Sequence, residues 1–148
     1  MGALYDTMLD ITIRDQVVSD YARLISNQVA SKSGPTGMML KAGYKGIKGV
    51  KPGYINEMVE VLLPSFMEVL DAHHMEYSGC NSQTPFDAWI SGCSQTVADQ
   101  LLCITDKVIH HADKKVVIKI YKGVRKIAQK HVSMAIPEMA AVTMKYMD

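Results

Sequence analysis

The sequence predicts an all-α protein, and three observations carry that prediction. Apolar residues recur at steps of three and four along most of the chain, as one face of a helix requires. No hairpin turn signal is present. The stretch Leu40-Lys41-Ala42-Gly43-Tyr44-Lys45-Gly46-Ile47-Lys48 returns, altered, as Val117-Ile118-Lys119-Ile120-Tyr121-Lys122-Gly123-Val124-Arg125. Neighbouring blocks return in the same order. Val18-Ser19-Asp20 matches Val97-Ala98-Asp99, Ile25–Val29 matches Ile104–Val108, and Leu63-Pro64-Ser65-Phe66 matches Ile136-Pro137-Glu138-Met139. Tyr5-Asp6 lies over Phe86-Asp87. The second copy has no counterpart of Lys51-Pro52-Gly53-Tyr54, and length changes of this kind fall at exposed joints. The predicted architecture is a bundle of about six helices. It has two duplicated three-helix units, residues 12–77 and 84–147, related by an approximate two-fold axis. With 148 residues in all, each half is near the lower limit for folding alone, so residues 1–148 form one domain.

Residues 1–11 are a short lead-in whose Leu4, Met8, Leu9 and Ile11 can pack. Thr12 with Asp15 resembles a capping pair, and Val17, Tyr21, Leu24 and Val18, Ile25, Val29 then recur at helical spacing. Gly34-Pro35 ends that helix. The second helix covers about residues 36–50. Met39, Leu40, Gly43, Ile47 and Val50 share its apolar side, and Lys41, Lys45 and Lys48 its cationic side. Lys51-Pro52-Gly53 is a break. The third helix carries Ile55, Met58, Val59, Leu62, Phe66, Val69 and Leu70, with Pro64 expected to kink or restart it. Its acids Glu57, Glu60, Glu68 and Asp71 read as a solvated face.

Gly79-Cys80-Asn81-Ser82 joins the halves. Thr84-Pro85-Phe86-Asp87 is a strong helix start, with a cap, a proline at the first position and an early carboxylate. The stripe Phe86, Ile90, Cys93, Val97, Leu101, Ile104, Val108 follows. A fifth helix begins near Asp113, with Val116, Val117, Ile120, Val124 and Ile127 apolar and Lys115, Lys119, Lys122, Arg125 and Lys126 opposite. Pro137 starts or kinks the last helix. Gly46 and Gly123 hold equivalent places, and each is expected to seat against a neighbouring helix, since glycine inside a helix costs roughly 1 kcal/mol against alanine.

The net charge of +1 conceals segregation. Residues 36–54 carry four cations and no acid, residues 113–131 seven cations against Asp113 alone, and residues 55–76 five acids and no cation. No apolar run reaches the ~20 residues of a membrane span, and the first residues lack the pattern of a secretory signal. The three cysteines, Cys80, Cys93 and Cys103, make no Cys-x-x-Cys, which favours a reducing cytoplasm over a disulfide framework. The pairs His73-His74 and His110-His111 lack the i, i+4 spacing of a helical metal site, so no metal and no cofactor is expected. Cys93 and Cys103 read as packing on or near an apolar stripe. No phosphate-binding loop, dinucleotide fingerprint or nucleophile elbow occurs, so no catalytic residue is assigned.

The stretch Gly34–Pro52, with Tyr44-Lys45 and Val50-Lys51-Pro52, resembles an uncharacterised family of small helical bacterial proteins. Leu62-Leu63-Pro64-Ser65-Phe66 and Lys130-His131-Val132 are similar to later parts of that family. The resemblance implies a bacterial-type cytoplasmic protein and assigns no activity. Two functions are expected from the residues. The first is a non-catalytic interaction or scaffold protein that can pair as a homodimer. It rests on the duplication, the missing catalytic motifs and surplus apolar residues such as Ile118 on a cationic face, while the eleven methionines read first as core filling. The alternative is an anion-binding module for nucleic acid, acidic lipid or a phosphorylated ligand. It would use Lys41, Lys45, Lys48, Lys115, Lys119, Lys122, Arg125 and Lys126.

Overall fold

The structure, a computed structural model, describes residues 2–147. Every element among them is helical: α1 (Ala3–Met8), α2 (Arg14–Ser31), α3 (Gly34–Lys48), α4 (Tyr54–Gly79) and α5 (Phe86–Ile90), then a 3-10 turn at Ser91–Cys93, α6 (Ser94–His110) and α7 (Lys115–Met144). The lead-in folds as α1 because Leu4 and Met8, one turn apart, are both fully buried. Its free N-terminal amides are met by Asp71 of α4. The Gly2 and Tyr5 amides donate to the two carboxylate oxygens at 2.8 and 3.2 Å. Asp71 is therefore 3% exposed, not part of a solvated acidic face.

Neither proline inside the expected helices ends one. α4 runs through Pro64 and α7 through Pro137. A proline removes one backbone donor and crowds the preceding turn. Here the nearby residues Leu63 and Met67, and Ile136 and Ala140, are buried in the core, and that burial supports helix on both sides of each proline. The last two expected helices thus form one helix of 30 residues. Residues 49–53 separate α3 from α4, most of the stretch the second half lacks among them: Gly53 stands at φ +75°, a left-handed conformation that glycine adopts without a Cβ penalty.

The core is made by Leu4, Met8, Val17, Tyr21, Leu63, Met67, Leu70, Ile90, Val97, Leu101 and Ile136, all from helices that face inward. A smaller cluster, Tyr54, Ile109 and Val117, closes the end where α6 turns into α7. The order of burial over residues 11–19 recurs over 91–99, with Val17 and Val18, then Val97 and Ala98, inside. That register differs by one residue from the match of Val18 with Val97 in the sequence. Leu63, Met67 and Leu70 are buried at the same spacing as Ile136, Ala140 and Thr143.

α3 lies on α7 through glycine. A Cβ at Gly43 would stand 2.8 Å from Val124 Cγ1, and one at Gly46 would stand 2.8 Å from Ile120 Cδ1. Gly123 meets nothing within 4 Å, contrary to the expectation that both glycines pack. Met39 and Val116, expected on apolar faces, are 49% and 52% exposed. The close approach is made by the glycine side of α3, which turns Met39 outward.

Candidate functional site

Between α2, α3, α4, α6 and α7 lies a cavity of about 320 Å³. Its walls include Leu24, Ile25, Leu40, Leu62, Phe66 and Leu102. α7 contributes Val124, Ala128, Val132 and Ala135, one stripe of branched and small side chains. Alanines at two turns of that stripe are too short to reach the opposite helices, and this leaves the space. Only three wall residues carry hydroxyls: Tyr21, Thr105 and Tyr121. Each is committed elsewhere. Tyr21 Oη is hydrogen-bonded to Thr143 Oγ1, Thr105 Oγ1 donates to the Leu101 carbonyl at 2.9 Å, and Tyr121 Oη donates to Asp106 Oδ1 at 2.6 Å. The surface offered to an occupant is apolar.

The Tyr121 phenol belongs to a polar cluster beside the cavity. Arg125 Nε donates to Asp106 Oδ1 at 2.8 Å and Arg125 Nη2 to Asp106 Oδ2 at 3.1 Å. Arg125 holds the Asp106 carboxyl below its ordinary range, and Tyr121 adds to the effect. Burial, then the bond to Asp106, push the Tyr121 phenol well above its ordinary value. Burial does the same for Tyr21.

The residues expected to bind anions stand on two helices, α3 and α7. Lys45, Lys48, Lys115, Lys119, Lys122 and Lys126 are exposed and Lys41 is half-buried. Arg125 is paired with Asp106 through Nε and Nη2. Lys48 borders a recess formed by α2, α3 and the start of α4.

The histidines diverge. His73 Nε2 is 2.8 Å from Gln100 Oε1, while His74 stands edge-on to Phe86 in an aromatic corner with Tyr77 and Trp89. His110 and His111 meet edge to face at the surface, with ring centroids 5.2 Å apart. Among the described residues no group of three His, Cys, Asp or Glu is placed to hold a metal ion. Cys103, expected near an apolar stripe, is exposed, as is Cys80. Cys93 is half-buried and its thiol is pushed up, first by burial and then by Glu76, away from nucleophilic character. No described helix is long and apolar enough to cross a membrane.

The sequence reading missed Leu40, Ala128 and Ala135 as partners in one cavity. The available signal was the run Val124, Ala128, Val132, Ala135, in which small residues replace bulky ones on an inward stripe. Comparison with curated proteins and with solved structures returns no match. The uncharacterised-family resemblance is borne out, because a family profile matches residues 4–147, nearly the whole helical array that encloses the cavity: the chain belongs to DUF6918, a family of unknown function.

Proposed function

We propose that the chain is a non-catalytic binding protein that encloses the alkyl portion of a small molecule in its central cavity. The observation that carries this is the cavity of about 320 Å³ whose three hydroxyl-bearing wall residues all have internal partners. The pocket is partly open, so its apolar walls stand against solvent when it is empty, and covering them is favourable. Water gains little there, because it needs two to four polar partners. An apolar occupant restores the missing contacts, and the volume is at the lower end of ligand sites. The three free thiols favour a reducing compartment for this role.

Calorimetric titration with decanol and decanoate tests the reading. Both bind saturably at one site, since the head group is not what the cavity recognises. Ala128→Leu and Ala135→Leu fill the space, weaken decanol binding at least about tenfold and raise the melting midpoint. Absence of saturable binding, or leucine variants that bind decanol like the parent, would overturn it.

A further inference from the structure

The recess that holds Lys48 shares no wall residue with the central cavity. It measures about 310 Å³, and Arg23, Ser26, Tyr44, Lys48 and Asn56 are on its wall. Two cations line it and no carboxylate does. Lys48 Nζ lies 5.9 Å from the centroid of the Tyr44 ring. Among the described residues the Lys48 ammonium has no ion pair and the Tyr44 hydroxyl no hydrogen bond. Arg23 keeps only a 3.4 Å contact with Asp20.

The other half of the molecule shows what such a pair does. On α7 a tyrosine and a cation stand at the same i, i+4 spacing, as Tyr121 and Arg125. Both grip one carboxylate, Asp106, supplied by the preceding helix α6. On α3 the pair is Tyr44 and Lys48, and the preceding helix α2 offers Ser26 and Arg23 to the recess and no acid. The carboxylate that closes the seam between α6 and α7 has no internal counterpart between α2 and α3.

We propose that this recess binds the carboxylate of a small organic acid, held by Lys48 and Tyr44 as Arg125 and Tyr121 hold Asp106. Charge-assisted hydrogen bonds to a carboxylate are the strong class, and a recess this size admits a small acid but not a folded partner. Arg23 supplies a second positive charge on the wall. The free first-turn amides of α4, at Ile55 and Asn56, add donors on the same side.

The test is an amide NMR titration of the full chain with succinate, and in parallel with inorganic phosphate and sodium chloride at matched ionic strength. Succinate is expected to give saturable shifts confined to Tyr44, Lys48, Ile55, Asn56 and their neighbours. Lys48→Gln, at an exposed position, weakens that binding at least about tenfold. Ser26→Asp places an internal carboxylate on the wall, blocks succinate to a similar degree and raises the melting midpoint. The proposal is overturned if succinate gives no saturable shift. It is overturned equally if phosphate binds as tightly at the same amides, or if Lys48→Gln binds succinate like the parent.

Discussion

At Asp71 one carboxylate ties the start of the chain to the middle of α4. It accepts from the Gly2 and Tyr5 amides, and a Cβ at Gly2 would lie 2.7 Å from its Oδ1. Asp71→Ala leaves two amides without their acceptor and is expected to cost about 1–3 kcal/mol in urea unfolding. An Asp71→Ala chain as stable as the parent would show that α1 does not depend on this contact. The sequence could not reveal this role, because Asp71 shares its helix with Glu57, Glu60 and Glu68, and only the return of α1 onto α4 distinguishes it. His131 is a second such residue. It is 8% exposed, and both ring nitrogens are buried without a hydrogen-bond partner among the described residues. Burial first, then Lys32 and Lys130, hold it below the ordinary histidine value of 6.5. Burial also lowers His74, against Asp71. The unfolded chain therefore takes up these protons at a higher pH than the folded one. Their contribution to stability is intact above pH 6.5 and is lost as pH falls toward the depressed values. Urea midpoints at pH 7 and pH 5 are expected to differ in the parent and to differ less in His131→Leu. An unchanged difference would assign the pH dependence to other groups.

Among the elements, α3 and α7 show how far periodicity carries. The helical class, the break at Lys51-Pro52-Gly53 and a helix start just after Thr84-Pro85 were legible, but the expected caps are not formed. α5 opens from Pro85 and α2 from Ile13 without a side-chain cap, Thr12 bonds to Asp10 instead, and the stripe 86–108 is broken by the 3-10 turn at Ser91–Cys93. The passage of α4 and α7 through Pro64 and Pro137 was not legible. Burial of Leu63, Met67, Ile136 and Ala140 outweighs the local cost of the ring, and burial is a tertiary quantity. The glycines divide the same way. Gly43 and Gly46 are closed in by Val124 and Ile120, whereas Gly123 faces open space. Gly43→Leu is expected to destabilise by about 1–3 kcal/mol through overpacking. Gly123→Ala, with room for its methyl group, is expected to stabilise by roughly 0.5–1 kcal/mol. Thermal unfolding of the two variants checks both signs, and a stabilised Gly43→Leu would contradict the close approach of α3 to α7.

For the whole molecule, we read the matched burial of α2 with α6, and of α4 with the later part of α7, as the trace of a duplication. On this reading the halves have diverged where function differs. One half closes its seam with Asp106, and the other leaves a recess beside Lys48. The cavity belongs to neither half alone, because its walls come from both. That is why it could not be read from the sequence: Leu40 and Ala135 carry no mark of their meeting until the helices are packed. The lysine faces were legible as charge but not as sites, since only geometry shows that Arg125 is already paired and that Lys48 borders a recess. The central claim is that the cavity holds an alkyl chain. Methyl NMR of the full chain with bound decanol tests it most directly. The account predicts intermolecular contacts from decanol to the methyl groups of Leu40, Leu102, Val124 and Val132. Contacts confined instead to the exposed Met38, Met39 and Met134 would contradict it.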